Sequence, residues 1–426
     1  MLSRNLPRAA VRASRPLCEA LPRSFTKLPT RPCVSPLTHQ QQLGRRHRST
    51  IGTIFKENTK RNPIIFPFAV GCVAVVATFA IIYVPWYYKN VIVAPYHNFP
   101  EPVAKKLRRA IYYSRGSNLD LREANKYFRQ ALAAATELGM DPFSPEILGV
   151  KYAISNLFEQ QGNFPLACDV LEIMRVDCQR WVREFGDKHR LDGDRSRVLK
   201  VLVQLDVKLG ELYMSKYMNQ PEDAEKRLVE AVETALSEKL RREKDGVKEG
   251  EGDWLNEQEL GGALESLGSC YEMNNNHYLA TPLFLQALTL CPPKSCHAVV
   301  LMNNISSSLA QSTPPPVSPS STTTTSPSHF PTTPAPDRAT LLTQATQWAQ
   351  KAIALAADIA PPNRDEECDL GCAVATHNLA EFLEMQGRFK EARLKYEEAR
   401  SVAKAIGFQE GVERAGEGVK RVGGKM

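Results

Sequence analysis

The sequence predicts an all-α solenoid of about six helix pairs, preceded by a basic leader and one apolar span. Three observations carry that expectation. Basic charge is concentrated in the first 61 residues, an uncharged apolar run follows, and the remainder repeats one pattern of small and large apolar residues. With 426 residues and a 43% hydrophobic share, the chain is long and apolar enough for one elongated repeat array.

The leader comes first. Residues 1–61 hold 13 Lys+Arg against Glu19 and Glu57, whereas the rest of the chain holds 41 basic and 45 acidic groups. The formal charge of +7 therefore belongs to the leader, and the body is mildly acidic. That argues against a nucleic-acid partner, because phosphate binding needs a basic face on the folded part. Arg4, Arg8, Arg12 and Arg15 share one face of a helix, with Leu2, Leu6, Ala9 and Val11 elsewhere on the turn. An Arg- and Ser-rich, acid-poor segment of this kind reads as a mitochondrial transit peptide, expected to be disordered over 1–48. Residues 1–60 lack the apolar core of a secretory signal.

The span is next. From Ile64 to Tyr88 the chain has 25 residues without a charge. As a helix it reaches about 37 Å, enough for a hydrocarbon core of about 30 Å. Pro67 and Pro85 lie near its ends, leaving Phe68–Val84 as the uninterrupted interior. Tyr83, Trp86, Tyr87 and Tyr88 cluster at one end and Lys60 and Arg61 at the other, as at membrane–water boundaries. The expectation is one transmembrane helix over 64–88 in the mitochondrial inner membrane. The N-terminus would lie in the matrix and the C-terminal part in the intermembrane space.

The repeats follow. LGSCYEMNNNHYLATPLFLQALTLCP (267–292) belongs to a helix pair. Leu264, Leu267, Gly268 and Tyr271 mark its first helix; Ala280, Phe284 and Ala287 mark the second, and Pro292 ends it. Gly268 and Ala280 are small where the helices cross, Tyr271 and Phe284 fill the wedge, and Pro292 offers no N–H to extend the helix. This is the tetratricopeptide (TPR) pattern, with Leu264 in place of the usual Trp. The segment 376–403 repeats it with Leu379, Ala380, Leu383, Gly387, Ala392, Tyr396 and Ala399. Related patterns occupy 152–174, 203–236 and 107–135, the last with a degenerate first helix. The helices of one further pair, 299–311 and 338–358, are separated by an insert. The expected organisation is TPR-like repeats 1–3 over 100–236, then repeats 4–6 over 259–311 and 338–406.

Three segments stand outside the repeats. The insert 312–337 contains eight Pro between Ser312 and Pro336 and little that could be buried, so a disordered loop is expected. The charged run within 238–258 reads as a solvated helix end and linker. The tail 407–426 is polar and Gly-rich, and part of it is a candidate capping helix.

No phosphate loop, HExxH or GxSxG motif stands out, so an enzyme is not expected. Cys291, Cys296, His297, Cys368, Cys372 and His377 do not have the spacing of a compact zinc module, and neither metal nor cofactor is expected. Buried or incidental thiols are the default, with a Cys291–Cys296 disulfide as the alternative in an oxidising compartment.

Stacked first helices would line a partner-binding groove. Its candidate residues are Tyr152, Asn156 and Glu159; Gln204, Val207, Glu211 and Met214; Glu265, Ser269 and Glu272; and His377, Glu381 and Glu384. With Lys208 as an isolated base, this face would repel a terminal carboxylate and suit an extended, partly apolar or basic segment. The alternative is that these acids are merely solvated.

The leader, span and degenerate array resemble the fungal TPR adaptor subunit of the i-AAA protease supercomplex. KKLRRAIYYSRGSNLDLREANKYFRQALAAA is similar to that family's first repeat, LGSCYEM to its central repeat, and SVAKAIGFQEGVERA to its end. The resemblance implies an adaptor that recruits unfolded inner-membrane or intermembrane-space proteins to a membrane AAA+ metalloprotease, beside a companion adaptor subunit. The Pro/Ser/Thr insert departs from the family pattern. A respiratory-complex assembly or maintenance factor with the same architecture is the alternative function.

Overall fold

A computed structural model describes residues 51–312 and 337–426. The expected leader (1–48) and nearly all of the insert lie outside them. The described residues divide into two compact units, the first ending at Pro85 and the second beginning at Trp86.

In the first unit, α1 (Ile51–Arg61) carries the last basic residues before the apolar run. Helix α2 begins in this unit and spans Ile65–Tyr87 without a buried side chain. It is the one helix among the described residues long and apolar enough to cross a membrane. Pro85 lies inside α2 rather than ending it. A π-helical turn (Tyr88–Val93) and a 3-10 turn (Ala94–Tyr96) follow.

The second unit contains thirteen further α-helices among its described residues, and no strand. The first pair is α3 (Glu101–Tyr113) and α4 (Leu121–Glu137), the second α5 (Pro145–Gln160) and α6 (Phe164–Phe185). The third is α7 (Asp194–Met214) and α8 (Pro221–Asp245), the fourth α9 (Glu257–Met273) and α10 (His277–Leu290). The fifth is α11 (Cys296–Gln311) and α12 (Arg338–Asp358), the sixth α13 (Glu366–Met385) and α14 (Phe389–Ala405). A final helix, α15 (Gln409–Gly423), packs on the sixth pair.

Local chemistry sets these boundaries. The side chains of Asp120, Ser144, Asn256, Ser295 and Asp365 accept backbone N–H groups at the starts of α4, α5, α9, α11 and α13. Asn256 and Glu259 complete a reciprocal capping box. The turns within pairs two, three, four and six each place one residue in the left-handed region: Gly162, Asn219, Asn275 and Gly387. Gly and Asn tolerate that conformation best.

The core repeats a small–large alternation along the second helices. Ala124/Phe128, Ala167/Leu171, Ala224/Leu228, Ala280/Phe284 and Ala392/Tyr396 are all at most 1% exposed. The alanines let the helices cross closely and the larger residues fill the wedge, giving dense packing with few voids. Leu264, Leu267, Ala287, Ala380 and Ala399 are also buried, and Tyr271 packs at the edge of the same core. In the fifth pair the corresponding residues of α12 are Ala345 and Ala349, and the bulk in this core comes instead from Leu301 and Ile305 of α11 and Leu341 and Leu342 of α12. Helix α10 stops at Leu290, Cys291 is extended, and Pro292 follows.

Two sequence expectations need correction. The run 238–258 is not a solvated linker, because α8 continues to Asp245 and Glu238, Arg242 and Glu251 are buried. Arg242 donates to Glu238 at 3.0 Å, to Ser196 Oγ at 2.6 Å and to the Gly252 carbonyl at 3.0 Å. Arg241 joins Glu238 to Glu251, at 2.6 and 3.1 Å. Burial alone would raise the Glu238 pKa, but bonds from Arg241 and Arg242 hold it below the usual range. The charges are thus a folded clasp between α8, its following loop and the start of α7. The second correction concerns Cys296, which is disulfide-bonded to Cys368 while Cys291 is a free thiol.

Candidate partner interface

Amphipathic packing turns the remaining polar stripe of each first helix outward, where side chains from successive pairs meet. Lys208 of α7 donates to Glu159 of α5 at 2.9 Å. Burial opposes the charge on Lys208, but Glu159 overcomes it and raises the Lys208 pKa. One turn along α7, Glu211 accepts from Ser266 of α9, and partial desolvation lifts its carboxyl above the usual range. Burial likewise raises the Glu272 pKa, against the bond from Ser307 of α11.

His297 makes the longest bridge. Its Nε2 lies 2.9 Å from Glu265 of α9 and its Nδ1 lies 2.9 Å from Glu367 of α13. The Glu265 bond, helped by Glu367 and opposed by burial, raises the His297 pKa to about 9. At neutral pH the ring is therefore a cation donating to both carboxylates. Three successive first helices are joined through one side chain.

Between these links lie two recesses. One, of about 290 Å³, is lined by Leu148, Gly149, Tyr152, Met174, Val201 and Gln204, among others. The second, of about 300 Å³, includes Gly261, Gly262, Ala287, Leu290, Glu257 and His297 in its lining. Both are mainly apolar in lining residues, and each has the size of one or two bulky side chains.

The structure sorts the candidate groove residues into groups. Tyr152 and Gln204 are exposed and share the first recess, and Asn156 is exposed on the same helix as Tyr152. Glu159, Glu211, Glu265 and Glu272 are tied into the ladder between helices. His377 lies 3.4 Å from Glu381 and packs edge-on against Tyr396. Two assignments are corrected. Met214 is half-buried and packs against the core of the third and fourth pairs rather than standing free in the groove. Glu384 is covered by α15, accepting from Arg421 at 2.8 Å, Lys425 at 2.9 Å and Tyr396 Oη at 2.9 Å. The face is consequently less negative than its composition suggested, since the Lys208 and His297 cations each sit against acids.

His297, on the first helix of the interrupted fifth pair, and Glu367, in the first turn of the sixth, join this face beyond the residues expected from the sequence; their first-helix positions were the available signal.

The decisive pattern is the repetition of one pair geometry with Ala or Gly at each close crossing. The fold is that of a TPR-repeat protein. A TPR repeat-containing protein of Schizosaccharomyces pombe is 27% identical over 316 residues, covering 74% of this chain and 76% of that protein. No protein-family model matches the chain. Among solved structures, BtubC from P. vanneervenii is similar at a TM-score of 0.45 and 14% identity, over 67% of this chain and 91% of that one. TPR-like repeats from Podosopora anserina are similar at a TM-score of 0.39 and 13% identity, over 61% and 96%. Each recess is bounded by the first helices of neighbouring pairs, α5 and α7 or α9 and α11, and by the second helix between them, α6 or α10.

Proposed function

We propose that the chain is a membrane-anchored TPR adaptor that holds extended segments of unfolded inner-membrane and intermembrane-space proteins and delivers them to the i-AAA protease. The observation that carries the reading is the pair of apolar recesses on the first-helix face, flanked by polar groups. An extended polypeptide can place bulky side chains in such recesses while its backbone meets the polar ladder. Helix α2 supports anchoring: its 23 residues would extend about 35 Å. The Arg-rich leader supports mitochondrial import, with the TPR repeats in the intermembrane space.

The test has two arms. Tagged full-length protein is recovered from mitochondria in mild detergent, and its companions are identified by mass spectrometry. Near-stoichiometric recovery of a membrane AAA+ metalloprotease supports the adaptor; respiratory-complex subunits without that protease overturn it in favour of an assembly factor. In the second arm, Gly149→Leu and Gly262→Leu fill the recesses. Added Cβ atoms at both glycines meet nothing within 4 Å, so the repeats remain folded. Binding of an unfolded model protein is expected to fall about tenfold, the effect of losing roughly 1.4 kcal/mol. Unchanged binding in both variants removes the recesses from the reading.

A further inference from the structure

Cys296 and Cys368 are separated by 72 residues, yet their Cα atoms lie 4.6 Å apart. The neighbouring surfaces prepare that approach. A Cβ on Gly371 would stand 3.0 Å from Val299 Cγ1, a tight contact that glycine avoids where α13 crosses α11. Asn303 Nδ2 then donates to the Gly371 carbonyl at 2.8 Å, a buried link between the same helices.

A third donor converges on the two sulfurs. A carboxylate oxygen of Asp365 and both Sγ atoms lie within 4.8 Å of one another. The cysteines are buried, whereas Asp365 is exposed and leaves the cluster a route to solvent. Asp365 also caps α13, its Oδ1 accepting the Cys368 N–H at 3.1 Å. It forms no ion pair among the described residues; adjacent Arg364 is engaged with Asp369 and the carbonyls of Ala356 and Ile359. Cys296 is the first residue of α11 and Cys368 the third of α13. Helix N-termini favour the thiolate over the thiol.

We infer that Cys296, Cys368 and Asp365 form a redox-gated zinc site. In the oxidised chain the two sulfurs are bonded to each other. In the reduced chain their thiolates and the Asp365 carboxylate hold one Zn²⁺, with water completing a tetrahedral set. Two thiolates and a carboxylate are suitable zinc donors. The conversion requires a dithiol or phosphine reductant. With a dithiol, two electrons and two protons pass to the Sγ–Sγ bond and the reductant leaves as its own disulfide. A phosphine leaves as its oxide, its oxygen coming from water. Zn²⁺ then displaces the two thiol protons to solvent. The fifth and sixth repeats thus remain cross-linked across the insert under either redox condition.

The experiment uses full-length protein in detergent micelles, reduced with a phosphine and then freed of it. Zn²⁺ is titrated in competition with a chromophoric chelator, and Co²⁺ provides a spectroscopic substitute. One equivalent should bind to reduced wild type, with a thiolate-to-cobalt charge-transfer band, and none of it to diamide-oxidised protein. Cys296→Ser and Cys368→Ser should lose that equivalent. Asp365→Asn retains the helix cap and should weaken binding about tenfold. Absence of binding to reduced wild type, or equal binding to oxidised protein, overturns the proposal. So does zinc that persists in both serine variants without a sulfur band, as from the partly exposed His189–Asp192–Asp194 group. If the serine variants lose their helical circular dichroism, the wild-type cobalt spectrum and Asp365→Asn decide: no sulfur band, or unchanged affinity in Asp365→Asn, overturns the three-ligand site.

Discussion

Gly268 lies against the ring of Phe284: a Cβ on the glycine would stand 2.7 Å from ring carbon Cε1. Because the ring is fully buried, it has little room to withdraw. Gly268→Ala should therefore destabilise the second unit by about 1–3 kcal/mol, and Gly268→Leu by more. Chemical denaturation checks this; an unchanged midpoint would mean that the crossing is looser than described.

His297 makes the stability of the first-helix face depend on pH. Its folded pKa of about 9 lies above the ordinary value of 6.5. The stabilisation it contributes is present in full below about pH 6.5 and is lost as pH rises through about 9. The melting-temperature gap between wild type and His297→Gln should be widest at pH 6 and close by pH 10. A gap independent of pH would deny that the two glutamates hold the imidazolium.

Arg242 provides a test of the clasp. Arg242→Met leaves the buried Glu238 with one partner fewer and removes the bonds to Ser196 and Gly252. A loss of about 3 kcal/mol is expected, as for other broken buried pairs. A solvated linker would tolerate the change within about 0.5 kcal/mol, so equilibrium unfolding distinguishes the two.

Glu384 gives the opposite pH signature from His297. Bonds from Arg421, against the opposing effect of burial and with help from Lys425 and Tyr396, hold its pKa at about 2, below the ordinary 4.5. The contribution is therefore present above about pH 4.5 and is lost as pH falls towards 2. Arg421→Gln should loosen α15 and cost about 1 kcal/mol at neutral pH. Amide exchange in α15 is the readout; unaltered protection would separate the cap from this pair.

The sequence by itself determined the apolar run that becomes α2 and most of the helix pairs. Those features are local: burial at Ala280, Phe284 and Ala287 follows from spacing along one helix, and Asp120 or Ser295 caps the residues beside it. Only the tertiary structure decided that Cys296 meets Cys368, that His297 joins Glu265 to Glu367, and that α15 covers Glu384. Those meetings depend on how successive pairs stack, and residues separated by 32 or 70 positions carry no local mark of it. Charge misled for the same reason. The run around Glu238, Arg242 and Glu251 is polar in composition, but its desolvation and pairing are set by the chain segments folded around it.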